Sequence, residues 1–312
     1  MKVVVALGGN ALQMKGMIPS AEEQLKVIQK TSRFIAQLSV NHYELAIVHG
    51  NGPQIGRIIL ASEYAKPIVP VMPFDVCGAM SQGYIGYQLQ QSLKHELKLC
   101  NMDVPVVTLV TQVVVEEDDK AFLNPTKPIG GFYSKEEAEK ISKKKGYVMR
   151  EDAKRGWRRV VASPMPRRIV EISEIKKLWN DTIVITCGGG GVPVIERADG
   201  TLEGVAAVID KDFAAELLAE EIDADVFLIL TEVEKVCLNY NTEQQIELDR
   251  LTLQEAVQYI SENQFASGSM LPKIQAAMKY VRMYPEKKAI ITSLDKAAEA
   301  LDGKTGTVIT FA

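Results

Sequence analysis

Three lysines stand where routine structural roles account for them poorly. Lys211 sits between Asp210 and Asp212 in AVIDKD, at the head of a segment whose Leu217 and Leu218 give it an apolar side. Acidic residues suit a helix N-terminus, so capping explains one of the two aspartates. A lysine at that positive end of the helix dipole is mildly unfavourable unless an anion lies beside it. Lys273 repeats the placement next to Pro272, in the first turn of a helix predicted over 270–284, with a solvent-facing lysine as the plain alternative. Lys127 lies between Pro125 and Pro128 in NPTKPIG, where two prolines stiffen the backbone and can fix its ammonium in space; taken alone it reads as a surface lysine.

Glycine turns supply the complementary half of an anion site. VVVALGGNAL runs from a β-branched apolar strand into Gly8, Gly9 and Asn10. ELAIVHGNGPQIG repeats the pattern with Gly50, Asn51 and Gly52, and TIVITCGGGG repeats it again. Such a turn at the carboxyl end of a buried strand converges several N–H groups on one point. Neither G-x-G-x-x-G nor G-x-x-x-x-G-K-[ST] occurs in the right setting, which disfavours the dinucleotide fold and the Walker loop. Glycine amides plus three lysines suit phosphoryl transfer, where positioning and charge neutralisation do most of the catalysis. Carboxylates would hold the lysines. His49, at the second strand end, reads better as a hydrogen-bonded structural residue than as a catalyst.

The elements that must place these residues follow from periodicity. Continuous apolar runs, each followed by a helical pattern, imply an α/β sandwich with a mostly parallel sheet, whose ligands bind beyond the carboxyl ends of the strands. Ser20 and Glu23 form a capping-box pair ahead of Leu25, Ile28, Ile35 and Leu38, and Thr252 with Glu255 form another. A helix is predicted over 78–100, with Leu89, Leu93 and Leu97 at four-residue spacing; Gly83 and Gly86 within it suggest close packing against another element or subunit. Val104 to Val115 is β-rich, and 192–204 reads as a hairpin turning at Asp199–Gly200. Residues 116–166 are rich in charge, proline and glycine and read as an inserted lid.

Composition excludes several classes. The chain has 312 residues, 46% of them hydrophobic and 24% charged, the balance of a soluble protein with a large core. A net charge of -4 gives no support to nucleic-acid binding. No apolar stretch reaches the roughly 20 residues that cross a bilayer. A strand beginning at Lys2 leaves no room for a signal peptide, and a cytoplasmic location with buried, reduced Cys77, Cys100, Cys187 and Cys237 is expected. These cysteines and His42, His49 and His95 lack metal-ligand spacing, so no protein-held metal is expected.

In order, ALGGNAL, HGNGPQIG, CGAMSQGYIGY, NPTKPIGGFY, REDAKRGWRRVVASP, CGGGGVPV, AVIDKD and GSMLPK resemble carbamate kinase, a branch of the amino-acid kinase superfamily. The resemblance spans nearly the whole chain. It implies a three-layer α/β sandwich with a central, mainly parallel sheet and a protruding subdomain at about 116–166, between an N-terminal lobe (1–180) for the phosphoryl acceptor and a C-terminal nucleotide lobe (181–312). It implies a homodimer that reversibly converts ATP and carbamate to ADP and carbamoyl phosphate, run toward ATP in arginine or related nitrogen catabolism. Carbamate is already anionic at its attacking oxygen, so no general base is required. By resemblance Lys211 and Lys273 stabilise the transferring phosphoryl and nucleotide phosphates, Lys127 reaches the same centre from the subdomain, and Asp212 orients the lysines. Gly8, Gly9, Asn10, Gly50, Asn51 and Gly52 cradle the phosphoryl group and carbamate. Thr231, Tyr240 and Met270 line the nucleotide pocket, and Mg²⁺ arrives on the ATP phosphates. Other superfamily members carry a lysine in the first strand where Ala6 stands here, a charge that Lys127 takes over. The sequence departs from the family pattern at Ala206, Asn241 and Gly131. The alternatives are a superfamily kinase for another small carboxylate or phosphonate, and a nucleotide-binding regulator without turnover; the full set of lysines with Asp212 disfavours the second.

Overall fold

Val3 through Leu7 are completely shielded from solvent because their strand, Lys2–Leu7, lies inside an eight-stranded sheet. The computed structural model describes residues 1–14, 20–152 and 155–312. Across the sheet the order is Arg250–Thr252, Thr307–Thr310, Lys288–Ser293, Val226–Thr231, Lys2–Leu7, Glu44–His49, Ile183–Ile185 and Val106–Thr108. Every neighbouring pair is parallel except Lys288–Ser293 with Thr307–Thr310.

Successive side chains of a strand point to opposite faces, so each central strand feeds two cores. Val3, Val5 and Leu7 pack with Ile28 and Ile35 of the helix Ala21–Val40 and with Leu89 and Leu93 of the helix Phe74–Leu99. Val4 and Ala6 belong to the opposite core, with Leu218 of the helix Lys211–Glu221 and Tyr280 of the helix Met270–Met283. The result is the expected three-layer sandwich. The strand Val226–Thr231 is equally continuous in apolar character and pairs in register beside Lys2–Leu7, Leu7 opposite Leu230.

The β-rich run at 104–115 breaks into two strands in different sheets, Val106–Thr108 and Gln112–Val114. The break is held by a side chain that acts as a strand. Buried Gln82 donates to the Thr111 carbonyl at 3.0 Å and accepts from the Thr111 amide at 2.8 Å. Gln112–Val114 then joins Val192–Glu196, Leu202–Gly204 and Arg168–Ile169 in a four-stranded sheet that contains the predicted hairpin. Residues Lys127–Tyr133, Met149–Glu151 and Trp157–Val161 form a separate antiparallel sheet carrying the helix Lys135–Lys145, whose three terminal lysines complement its C-terminal dipole.

Two local expectations need correction, and a third holds within the chain for one of its two residues. The helix predicted from residue 78 starts one turn earlier, at Phe74, behind Pro73, whose locked φ sets the chain's entry. Ser20 accepts from the Glu23 amide at 3.1 Å as expected, while the Glu23 carboxylate is drawn to Lys26 at 2.6 Å. Of the two helix glycines only Gly86 is packed against another element within the chain; a Cβ there would fall 2.2 Å from Thr108 Cγ2, whereas one on exposed Gly83 would meet nothing.

Gly86→Ala should therefore cost about 1–3 kcal/mol by forcing the helix off the edge strand. Urea unfolding checks this: the midpoint should drop with an unchanged slope, and an unmoved midpoint would show that the contact relaxes freely.

Candidate active site

The carboxyl ends of the central strands open onto two adjoining cavities. One, of about 950 Å³, is lined by Gly8–Ala11, Leu230–Val233 and Asn239–Thr242, and by Met270 and Lys273. The other, of about 720 Å³, lies under the small antiparallel sheet and is lined by Gly50–Gln54, Lys127, Arg158 and Asp210–Asp212. Both share Gly9, Asn10, Gly268, Ser269 and Lys273, so the lysine stands at their junction.

Asp210 caps the helix Lys211–Glu221, its Oδ1 accepting from the Asp212 amide at 3.0 Å. Its other oxygen accepts from Lys127 Nζ at 2.6 Å, which ties the small sheet to the helix start. Asp212 is 3% exposed and takes two ammoniums at once: Lys211 Nζ at 2.5 Å on Oδ1 and Lys273 Nζ at 3.0 Å on Oδ2. Burial alone would push the Asp212 carboxyl up, but the two lysines outweigh it and hold it well below the usual carboxylate range. Burial also pulls the Lys211 ammonium down, with Asp212 opposing. Within this cluster three ammoniums stand against two carboxylates, a surplus of one positive charge; Lys127 and Lys211 line the second cavity and Lys273 lines both.

The lysine stem meets the second glycine turn directly. A Cβ on Gly50 would lie 3.4 Å from Lys211 Cδ, which is van der Waals contact, so the Lys211 stem runs directly over this turn on its way to Asp212. The third glycine turn differs from the other two. Gly188 through Gly191 are buried, and a Cβ on Gly189, at φ +68°, would strike Asn51 Nδ2 at 2.1 Å. That turn backs the second one, and Asn51 is held over it by donating to Ser81 Oγ at 2.8 Å.

Residues 1–293 match the sequence model of the amino acid kinase family. The carbamate kinase of Clostridium perfringens is 54% identical over 313 residues, covering 99% of each chain. That of Pyrococcus furiosus is 50% identical over 311 residues, covering 99% of this chain and 98% of its own. The chain belongs to the amino acid kinase family, in its carbamate kinase branch. The solved structure of Giardia lamblia carbamate kinase bound to AMP-PNP superposes with a TM-score of 0.91 at 42% identity, over 99% of this chain and 98% of that one. This family fold brings all the residues singled out in the sequence to one place. Lys127, Lys211, Lys273 and Asp212 are linked as above; Gly9, Asn10, Gly50, Asn51 and Gly52 border the second cavity; Gly8, Thr231, Tyr240 and Met270 border the first.

Asp210 was legible only as a cap, and its pairing with Lys127 across 83 residues carries no sequence signal beyond the two charges themselves. Of the departures, Asn241 adopts φ +62°, a left-handed conformation asparagine tolerates, and Ala206 is exposed and borders neither cavity. Gly131 is exposed at the rim of the second cavity. Cys100 is exposed, correcting the expectation of four buried thiols: it closes the surface end of the helix Phe74–Leu99. Among the described residues no group of three or more His, Cys, Asp or Glu could hold a metal.

His49 is 1% exposed and donates from Nδ1 to the Gly50 carbonyl at 2.8 Å, with Gly188 against its other nitrogen. Burial is the largest influence and lowers its pKa to about 4, leaving a neutral ring that braces the turn. The unfolded ring gains its proton near pH 6.5 and the folded one only near pH 4, so the unfolded chain binds more protons in between. Stability should accordingly fall as pH drops from 6.5 toward 4. A ring-proton titration by NMR checks it directly: a His49 midpoint above pH 6 would contradict the assignment.

Proposed function

We propose that the chain is a carbamate kinase, catalysing reversible phosphoryl transfer between ATP and carbamate to give ADP and carbamoyl phosphate. One observation carries the reading: Lys273 stands where the two cavities meet, sharing Asp212 with Lys211, so a phosphoryl group moving between them crosses the surplus positive charge. In this reading the larger cavity takes the nucleotide, with Thr231, Tyr240 and Met270 around its base and ribose. Carbamate sits in the second, below Lys127. Its oxygen attacks the γ-phosphorus in line and needs no base, in keeping with a neutral, buried His49. Lys211, Lys273 and Lys127 neutralise charge on the equatorial oxygens as the P–O bond to ADP breaks, while amides of Gly8–Asn10 and Gly50–Gly52 support the group from below.

Mg²⁺ fits this site as an ion carried by the nucleotide's phosphates. Asp210 and Asp212 are already engaged by lysines, and Glu232 stands in the wall of the nucleotide cavity. The ion would offset charge on the phosphate chain. We read residues 116–166 as a subdomain that delivers Lys127, set between an acceptor lobe (1–180) and a nucleotide lobe (181–312). A cytoplasmic enzyme running toward ATP in arginine breakdown is the matching physiological reading. A homodimer is supported by large apolar side chains left exposed along residues 64–87, with Tyr64 and Ile68 at 88% and 87% and Met72, Met80 and Tyr87 also exposed.

ADP and carbamoyl phosphate should yield ATP with the purified protein, and no ATP above a Lys211→Ala control would remove the reading. Lys127→Ala should lower kcat about 10²- to 10³-fold, the scale of one lost transition-state donor, with nucleotide binding by calorimetry nearly unchanged. Equal loss in both would place Lys127 in ground-state binding instead. Tyr64→Asp with Tyr87→Asp should convert a dimer to a monomer in sedimentation velocity; an unchanged species would put the interface elsewhere.

A further inference from the structure

Three glutamine amides form an oriented chain that ends on the wall of the second cavity. Its direction is dictated at the far end, where Gln88 Nε2 donates to the backbone carbonyl of Ala21 at 3.1 Å. A carbonyl only accepts, so the Gln88 amide cannot be turned round. Gln88 Oε1 therefore accepts, from Gln24 Nε2 at 2.7 Å. Gln24 Oε1 in turn accepts from Gln54 Nε2 at 2.9 Å and from Arg57 at 3.1 Å. Every amide in the series is fixed by the one before, and the last is left with its oxygen free. Gln54 is 1% exposed and forms part of the second cavity's wall; its Oε1 is closed to solvent and has no partner among the described residues, so a donor from the cavity reaches it only with a small shift of that wall. A buried acceptor in that state is costly and calls for a donor.

Gln54 also lies in the first turn of the helix Gly52–Tyr64, where the leading backbone N–H groups have no partner within the helix. One short segment thus offers N–H donors for an anionic oxygen and a side-chain acceptor for an N–H. Carbamate presents that combination, a carboxylate next to an amino group. Acetate carries a methyl in place of the amino group, and bicarbonate a hydroxyl.

We propose that Gln54 Oε1, aimed by the Gln88–Gln24 relay, accepts an N–H of carbamate and is the group that distinguishes carbamate from acetate, whose methyl has nothing to donate. Gln54 is then a specificity residue that touches substrate, and Gln24 and Gln88 are positioning residues outside the cavity. The inference rests on the carbamate kinase reading above. With acetyl phosphate bound, the acceptor stays unpaired, which corresponds to about a 10- to 100-fold penalty relative to carbamoyl phosphate.

The test measures ATP formation from ADP with carbamoyl phosphate and, separately, with acetyl phosphate, which differ by amino against methyl. Gln54→Met keeps the length and removes the acceptor; kcat/KM for carbamoyl phosphate should fall about 10- to 100-fold, with the acetyl phosphate value within about threefold of wild type. Gln88→Met frees the relay at its distant end and should give a smaller loss of the same selectivity, so the inference stays testable if Gln54→Met folds poorly. Equal losses on both substrates in either folded variant, or no loss on either, would overturn it, the latter meaning that water satisfies the oxygen. Wild-type protein making no ATP from carbamoyl phosphate would overturn the proposed function instead, a result visible before any variant is made.

Discussion

One buried carboxylate sets the conditions for everything else. Asp212 has lost nearly all contact with water, a state that is unfavourable for an isolated charge and tolerable only with close, well-aligned partners. It has two, and they come from the starts of two different helices, Lys211–Glu221 and Met270–Met283. Those helices must therefore keep their relative position to within a hydrogen bond. A second contact farther along secures them: Lys279 donates to buried Glu216 at 2.6 Å and to Glu220 at 3.1 Å. Glu216 is completely shielded from solvent, and burial pushes its carboxyl up to about 7 despite that lysine. The sheet beneath supplies the remaining constraint, because both helices pack on the face bearing Val4 and Ala6.

The small antiparallel sheet is seated by the same logic at its other margin. Glu63, near the end of the helix Gly52–Tyr64, accepts from Lys145 and Tyr147, and Arg159 lies 3.6 Å over the Tyr147 ring. Close backbone contact reinforces this, since a Cβ on Gly56 would fall 2.2 Å from Gly130 Cα. With both holds in place the strand Lys127–Tyr133 has little freedom to slide, and the Lys127 ammonium is delivered to Asp210. The prolines on either side of Lys127 act in the same direction by limiting the backbone that carries it.

How much of this was legible depended on whether the cause was local. Alternating burial is a property of each strand, so the sheet and its two cores follow from runs such as VVVAL and VFLILT. Lys211 was conspicuous because a cation at a helix start is locally unfavourable, and the structure resolves that tension through its immediate neighbour, Asp212. Pairings between distant segments left no comparable trace. Lys127 with Asp210, Gln82 holding the break at Thr111, and Glu63 gripping the small sheet each join residues whose types are ordinary at their own positions. The four-glycine turn read like the other two strand-end turns, while only packing against His49 and Asn51 shows it also to be buried support, with Gly189 in the wall of the second cavity.

The resting arrangement also bears on how charge is managed when phosphate enters. Each ammonium already has a carboxylate partner, so a phosphate arriving at the site adds contacts to lysines that are held in place, and little reorganisation is needed. Lys211 and Lys273 are mutually repulsive, and Asp212 between them offsets that repulsion without cancelling it. A dianionic phosphoryl group therefore meets a net attraction while the lysines stay splayed by the carboxylate behind them. Were Asp212 absent, the two cations would separate or one would lose its proton, and the site would present less charge at the point of transfer. The negative residue among the lysines thus serves an anion-binding site by fixing where the positive charge sits.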